Sequence, residues 1–298
     1  MSNQAASSRP TALANRWLDW WFAPLPIARI FWLRVFLYGF VLVDVLVTTS
    51  WVSMHGSVSP ELYRPLWLAR IFAVPAPGPA FVIGMKVVLV VCAGIAMTGR
   101  RPRLTGSIVF LLYLEWMLIA FSYGKVNHDR VAFLVALAVL PTVGEARREA
   151  TLSDAAGWAI RCIQVTVVLT YFLAAYAKLR YGGIEWLNGA TLLRAVLRRG
   201  TWLGDELRDF PMLLRAGQYA LVAFELSSPL LLSRGKLRRI YLWLAVAFHV
   251  VTWLTLKISF LPHVICLLAF TPLESLRQPA RFVSPKIHRR APSQLGSS

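Results

Sequence analysis

GWAIRCIQVTVVLTYFLAAYAKL, residues 157–179, is apolar at nearly every position and long enough to cross a bilayer, which takes about 20 residues. Its polar side chains are not scattered. Arg161, Gln164, Tyr171 and Lys178 recur at steps of three and seven, which places them on one face of a helix. A seven-residue step drifts by only about 20° on a straight helix, so the stripe stays on that face along its length. A polar stripe in an apolar span is expected to line a cavity rather than face lipid. Lys178 marks its outer end.

The whole chain has the same character. Of its 298 residues 57% are hydrophobic and 15% charged, with mean hydropathy +0.57. A soluble domain carries about a quarter charged residues, so this composition excludes an ordinary soluble enzyme, a disordered chain and a disulfide scaffold. It predicts an all-α polytopic membrane protein with about eight transmembrane helices, near 28–52, 79–98, 104–123, 127–143, 157–179, 211–232, 239–256 and 259–273. The net charge of +18 does not point to nucleic acid, because the basic residues form short runs between apolar stretches. Arg100, Arg101 and Arg103 follow span two, Arg147 and Arg148 follow span four, and Arg234, Lys236, Arg238 and Arg239 follow span six. Lys286, Arg289 and Arg290 lie in the tail, and Arg9 and Arg16 near the start. Eight spans put all of them on one side, the cytoplasm by the positive-inside rule.

This topology divides the chain into an N-terminal cytoplasmic or interfacial segment (1–27), a transmembrane domain (28–273) and a basic, disordered cytoplasmic tail (274–298). No cleavable signal peptide is expected. Trp17, Trp20, Trp21 and Phe22 suit the membrane interface, and Pro24 and Pro26 stop a helix there. Outside, residues 186–199 read as an amphipathic helix, with Leu187, Leu192, Leu193, Val196 and Leu197 against Arg194, Arg198 and Arg199. Cys92, Cys162 and Cys266 lie in apolar segments without metal or redox spacing, so no metal site or disulfide is expected.

Ionisable groups inside spans are costly and usually face a bundle interior. They include Arg34 and Asp44 in span one, Lys86 in two, Glu115 in three, Glu225 in six and His249 in seven. Structural pairing would account for several: Arg34 with Asp44 or Glu115, and Lys86 with Glu225. The topology also brings His128, Lys178, Lys257 and His263 near the outer face. A lysine with one or two histidines beside a lipidic cavity fits proton transfer, because partial burial favours the neutral amine a general base needs. The alternative is that Lys178 and Lys257 snorkel to headgroups.

Several stretches resemble the HTTM (horizontally transferred transmembrane) family, the membrane module of vitamin K-dependent gamma-carboxylases and their bacterial homologues. Asn127-His128, followed by Thr151-Leu152-Ser153-Asp154, resembles the family's NH…SLD. Residues 171–179, YFLAAYAKL, are similar to YF-x-AG-x-KKL and are followed by Trp186 and Gly189. Glu225 before Pro229 and Leu230 resembles the later acidic helix, and Phe248-His249 with residues 258–262, ISFLP, resembles FH…I-x-x-FP. The pieces occur in the family's order over most of 28–273.

The resemblance implies that Lys178 is the base that starts oxygenation of reduced vitamin K or another quinol, with His128 assisting. Asn127 would orient His128, while Gln164, Tyr171, Trp186, Glu225 and His249 would line the cavity. Ala177 replaces the first lysine of the pair, and Ala174-Ala175 stands for AG. No segment after span eight corresponds to the family's large extracytoplasmic domain, so the expectation is a carboxylase-like, lyase-class enzyme acting on a quinone-like or lipid substrate in an outward-facing cavity, with carboxylation of a peptide not expected. The competing expectation is a non-catalytic lipid-binding or assembly protein on the same scaffold. A solute transporter fits less well, since no repeated half or broken helix pair is visible. The partners expected are the lipid bilayer and a quinone or lipid ligand, with no nucleic acid.

Overall fold

The computed structural model describes residues 12–277; Arg9 and the basic residues of the tail after Arg277 lie outside them. The regular structure of the described residues is almost wholly helical. An amphipathic helix α1 (Ala12–Trp21) precedes α2 (Ile27–Val43). A short α3 (Trp67–Ile71) lies in the first long loop, before α4 (Pro79–Met97) and α5 (Pro102–Ser122). Then come α6 (Val131–Val139), α7 (Asp154–Gly182), α8 (Ala190–Arg199), α9 (Trp202–Leu207), α10 (Pro211–Leu226), α11 (Lys236–Leu256) and α12 (Leu261–Cys266). The exception is a two-residue antiparallel pair, β1 (Leu25–Pro26) with β2 (Leu152–Ser153), which clips the approach to α2 onto the approach to α7.

Five helical segments are long and apolar enough to cross a membrane: Ile27–Thr48, Pro79–Met97, Pro102–Ser122, Asp154–Gly182 and Lys236–Leu256. The protein is a multi-pass membrane protein. The stretches expected as spans four, six and eight are helical but shorter, each an α-helix running into a 3-10 turn: Leu140–Val143, Ser228–Leu232 and Leu267–Phe270. Proline occupies the first turn of the first two, where its missing N–H costs no hydrogen bond. A further 3-10 turn, Leu273–Arg277, closes the described residues.

The core is a continuous apolar cluster that includes Leu33 and Leu37 of α2, Tyr113 and Trp116 of α5, Phe133 and Leu137 of α6, and Ile160, Ile163 and Val167 of α7. α4 packs on α2 and α5, α6 lies against α5 and α7, and α12 is wedged among α2, α6 and α7. Facing outward are large apolar side chains such as Phe81, Val87 and Val91 of α4 and Trp243, Val250 and Trp253 of α11. Exposed apolar rows of this extent are costly in water and natural against lipid.

The helix quoted at the outset is set at both ends. Ser153 caps it by accepting from the Ala156 N–H at 3.3 Å, with Asp154 in the first turn to oppose the helix dipole. Gly157 allows the chain entering α2 to cross closely, since a Cβ there would overlap the Ala23 carbonyl. The helix stops at Gly183, whose φ of +63° favours glycine. The basic loops converge at the end near Gly157: Arg103 lies against Gly144, and Arg148 stacks 4.9 Å over Phe31.

Candidate functional site

Buried polar contacts fix the approach to the site. The helix continuing from α2 widens to a π-turn over Asp44–Thr48, a feature that recurs at functional sites. There the Asp44 carboxylate pairs with Arg130 and accepts from Tyr113 Oη at 2.8 Å. Thr49 bonds back to Asp44 and accepts from Trp116 Nε1 at 2.9 Å. A buried charge persists only when paired and hydrogen-bonded, and this network meets that condition. It also anchors the 3-10 turn His128–Arg130 to α2 and α5, which sets where His128 stands.

Beside that turn lies a cavity of about 210 Å³. His128 and Asp129 form one wall, Thr170, Tyr171, Ala174 and Lys178 of α7 the next, and Leu221 and Glu225 of α10 a third. α11 adds Phe248 and His249, and the chain beyond it adds Ile258, Phe260 and His263. Lys178 Nζ donates to both oxygens of Glu225, each at 2.6 Å, and stands 5.6 Å over the Trp186 ring. Trp186 is held in turn by Gln218, which is fully buried, donates to the Trp186 carbonyl and accepts from the Leu192 N–H.

Deeper in the cavity Tyr171 Oη and His249 Nε2 are 2.6 Å apart. His249 Nδ1 and both ring nitrogens of His263 are buried without a hydrogen-bond partner among the described residues. Buried imidazoles are ordinarily satisfied, so these three nitrogens are available to a ligand or water. Phe260 packs on His249 at 5.4 Å, and the His263 and Tyr171 rings meet edge-on at 4.4 Å. The wall is therefore aromatic with a few convergent polar atoms, the usual make-up of a small-molecule site.

Two apolar clefts open from this cavity. One, about 540 Å³, shares His128, Thr170, Ala174 and Lys178 with it and runs past Val131, Leu169 and Leu173. The other, about 670 Å³, lies between α10 and α11 and shares Leu221, Phe248, Thr252 and Leu256. A chamber with a few convergent polar atoms, flanked by apolar clefts, can hold the head of an amphiphile while its chain stays in hydrocarbon.

His128, Lys178, Tyr171, Glu225 and His249 thus meet around one cavity, with Trp186 capping the lysine. Gln164 does not join them. It donates to the Ala269 carbonyl at 2.8 Å and accepts from Arg161, so the lower half of the polar stripe ties α7 to the chain after α12. Asn127 is exposed and makes no side-chain capping hydrogen bond to the turn that carries His128 among the described residues. Lys257 is exposed at the left-handed end of α11 and is not among the cavity residues.

The expected structural pairs are also replaced. Arg34 donates to the Leu140 carbonyl at 2.7 Å, Asp44 takes Arg130, Lys86 donates to Ser53 at 3.1 Å, and Glu225 takes Lys178. His263 and Gln218 were not among the expected site residues, although His263 was expected near the outer face. No group of three or more His, Cys, Asp or Glu suited to a metal occurs among the described residues.

No family model, curated protein or solved structure matches the chain. The HTTM resemblance rests on the quoted residues.

Proposed function

We propose that the protein is a membrane enzyme of HTTM type acting on a quinone-like or lipid substrate, with the Lys178–Glu225 pair handling a proton at the substrate head. The observation that carries this reading is the bidentate contact of Lys178 with Glu225 inside a cavity that opens to apolar clefts. In a low-dielectric site a proton can pass along such a contact, leaving a neutral amine and a carboxylic acid. The amine then accepts the proton of a substrate hydroxyl, which restores the ammonium and leaves a substrate oxyanion, and Glu225 returns to its carboxylate by giving up its own proton to water or to the product. His128 stands at the rim to polarise the same hydroxyl. Tyr171 and His249, already hydrogen-bonded, fix the inner wall.

A quinol head fits these residues. Its ring would lie among Phe248, Phe260 and Tyr171, and its oxygens would answer the unpartnered nitrogens of His249 and His263. When bound, a quinol such as reduced vitamin K supplies an oxidisable ring and ionisable hydroxyls. The cavity is small, so an isoprenoid or acyl tail would leave by a cleft. The positive-inside rule puts both termini in the cytoplasm and this chamber at the outer face of the cell membrane.

A second reading has its own support. An ammonium already neutralised by Glu225 is also what a non-catalytic lipid-binding protein would use to tie α7 to α10. Mass spectrometry of lipids co-purified with the protein tests the substrate class. The expected outcome is a quinone-like or lipid species enriched over the bulk membrane and lost when His263→Phe and His249→Phe fill the cavity. No enrichment in the unmodified protein overturns the ligand assignment.

A further inference from the structure

At the opposite end of the bundle, four arginines gather from three parts of the chain: Arg29 on α2, Arg161 on α7, Arg234 before α11 and Arg238 at its start. Arg29 is neutralised by Glu274, its Nε at 2.7 Å from the carboxylate. The other three have no carboxylate partner among the described residues. The stretches outside those residues contain no aspartate or glutamate that could supply one. Arg161 donates to the Trp20 carbonyl and to Gln164, and Arg238 to the Ser233 carbonyl at 2.6 Å, all uncharged acceptors. Packing brings these segments together: Ser228 Oγ donates to the Val168 carbonyl at 3.1 Å, which seats the turn Ser228–Leu232, just before Arg234 and Arg238, against the helix that carries Arg161. Like charges gathered without counter-charge raise the energy of the fold unless an anion joins them.

An apolar cleft of about 690 Å³ adjoins this cluster, lined by Trp17, Trp20, Trp21, Val165 and Leu232, with Arg16 at its rim. The two features are contiguous. The Arg161 guanidinium stacks 5.0 Å over the Trp20 ring, and Val165 lies one turn along α7 from Arg161. Leu232 immediately precedes the serine that accepts from Arg238. Tryptophans at this level suit the headgroup region of a bilayer.

We propose that this corner binds one anionic phospholipid from the adjoining leaflet, its phosphate among Arg161, Arg234 and Arg238 and an acyl chain in the tryptophan-lined cleft. A free phosphate would answer the arginines and leave the cleft unfilled. A zwitterionic lipid would fill the cleft and leave the net charge standing. Only an anionic lipid meets both, as basic pockets at the ends of transmembrane helices commonly do. The site is separate from the outer cavity and does not depend on the function proposed for it.

The test is native mass spectrometry of the protein released from nanodiscs of equal parts phosphatidylcholine and phosphatidylglycerol. The unmodified protein is expected to retain one phosphatidylglycerol in preference to phosphatidylcholine, and to keep it in excess inorganic phosphate. The double variant Arg161→Gln/Arg238→Gln should retain it about tenfold less. Arg100→Gln/Arg103→Gln, which removes the same charge from another basic loop at that end, should retain it fully. Equal retention of the two lipids by the unmodified protein overturns the site, and that arm needs no variant to fold. Displacement by phosphate shows a free-anion site instead, and equal loss in the control pair shows general attraction to the bilayer; either also overturns it.

Discussion

Lys178 and Glu225, 47 residues apart in sequence, meet with the ammonium 2.6 Å from both carboxylate oxygens. The contact joins α7 to α10 at the level where the chamber opens, and it leaves neither charge unpaired in an apolar surround. The glutamate side chain is 7% exposed and the lysine 23%. Removing one partner is therefore expected to cost more than removing both.

Glu225→Gln leaves an ammonium with no counter-charge and should lower stability by about 1–3 kcal/mol, less than a fully buried pair because the lysine keeps some water. Lys178→Met combined with Glu225→Gln should recover part of that loss. Thermal unfolding of the two single variants and the double variant in detergent measures the coupling. Additive losses would show that the two groups do not stabilise one another.

The polar stripe of residues 157–179 was legible, and its limits are instructive. Period alone put Tyr171 and Lys178 on one face, and both line the cavity. Period carries no depth, however. Gln164 lies 14 residues before Lys178, about 21 Å down the helix at 1.5 Å per residue, beyond the reach of one small chamber. Pairing was not legible at all, because a sequence with several buried acids and bases allows many matches and only tertiary packing selects one. Arg130 was the missed partner of Asp44, and its signal was an Asp-Arg pair opening an apolar stretch. The 3-10 turns escaped for another reason: apolar composition does not distinguish an α-turn from the turns over Leu140–Val143 and Ser228–Leu232.

The basic loops predict which end of the bundle faces the cytoplasm, and labelling checks it. In a background without Cys92, Cys162 and Cys266, cysteines at Ser59 and Asn188 should react with an impermeant thiol reagent in intact cells. A cysteine at Glu145, whose side chain is 80% exposed at the other end, should react only after lysis. Labelling at Glu145 alone in intact cells would invert the orientation and put the chamber inside.

Acid should weaken the clasp between Arg29 and Glu274. Burial pushes the Glu274 carboxyl up, but hydrogen bonds and charge from Arg29 outweigh it and hold the group below its ordinary value of 4.5. A depressed folded value means the stabilisation is complete above the ordinary value and is lost as pH falls through the depressed one. The unmodified protein should therefore melt above Arg29→Gln at neutral pH, with the gap closing in acid. A gap that stays constant to the acid limit would mean that the clasp contributes nothing that titrates.

Lys178→Arg separates a base from an anchor. Arginine keeps the positive charge and can still meet Glu225, so insertion, melting temperature and lipid content should stay close to those of the parent. Its pKa above about 12 stops it from giving up a proton near neutral pH. If Lys178 cycles through a neutral amine, loss of that step should cost at least about 100-fold in turnover. Lys178→Arg should then fail to restore any phenotype of a deletion strain while still accumulating in the membrane. Should the arginine variant complement fully, the proton-transfer role of Lys178 falls, and the chamber is a binding site whose lysine and glutamate hold two helices together around the ligand.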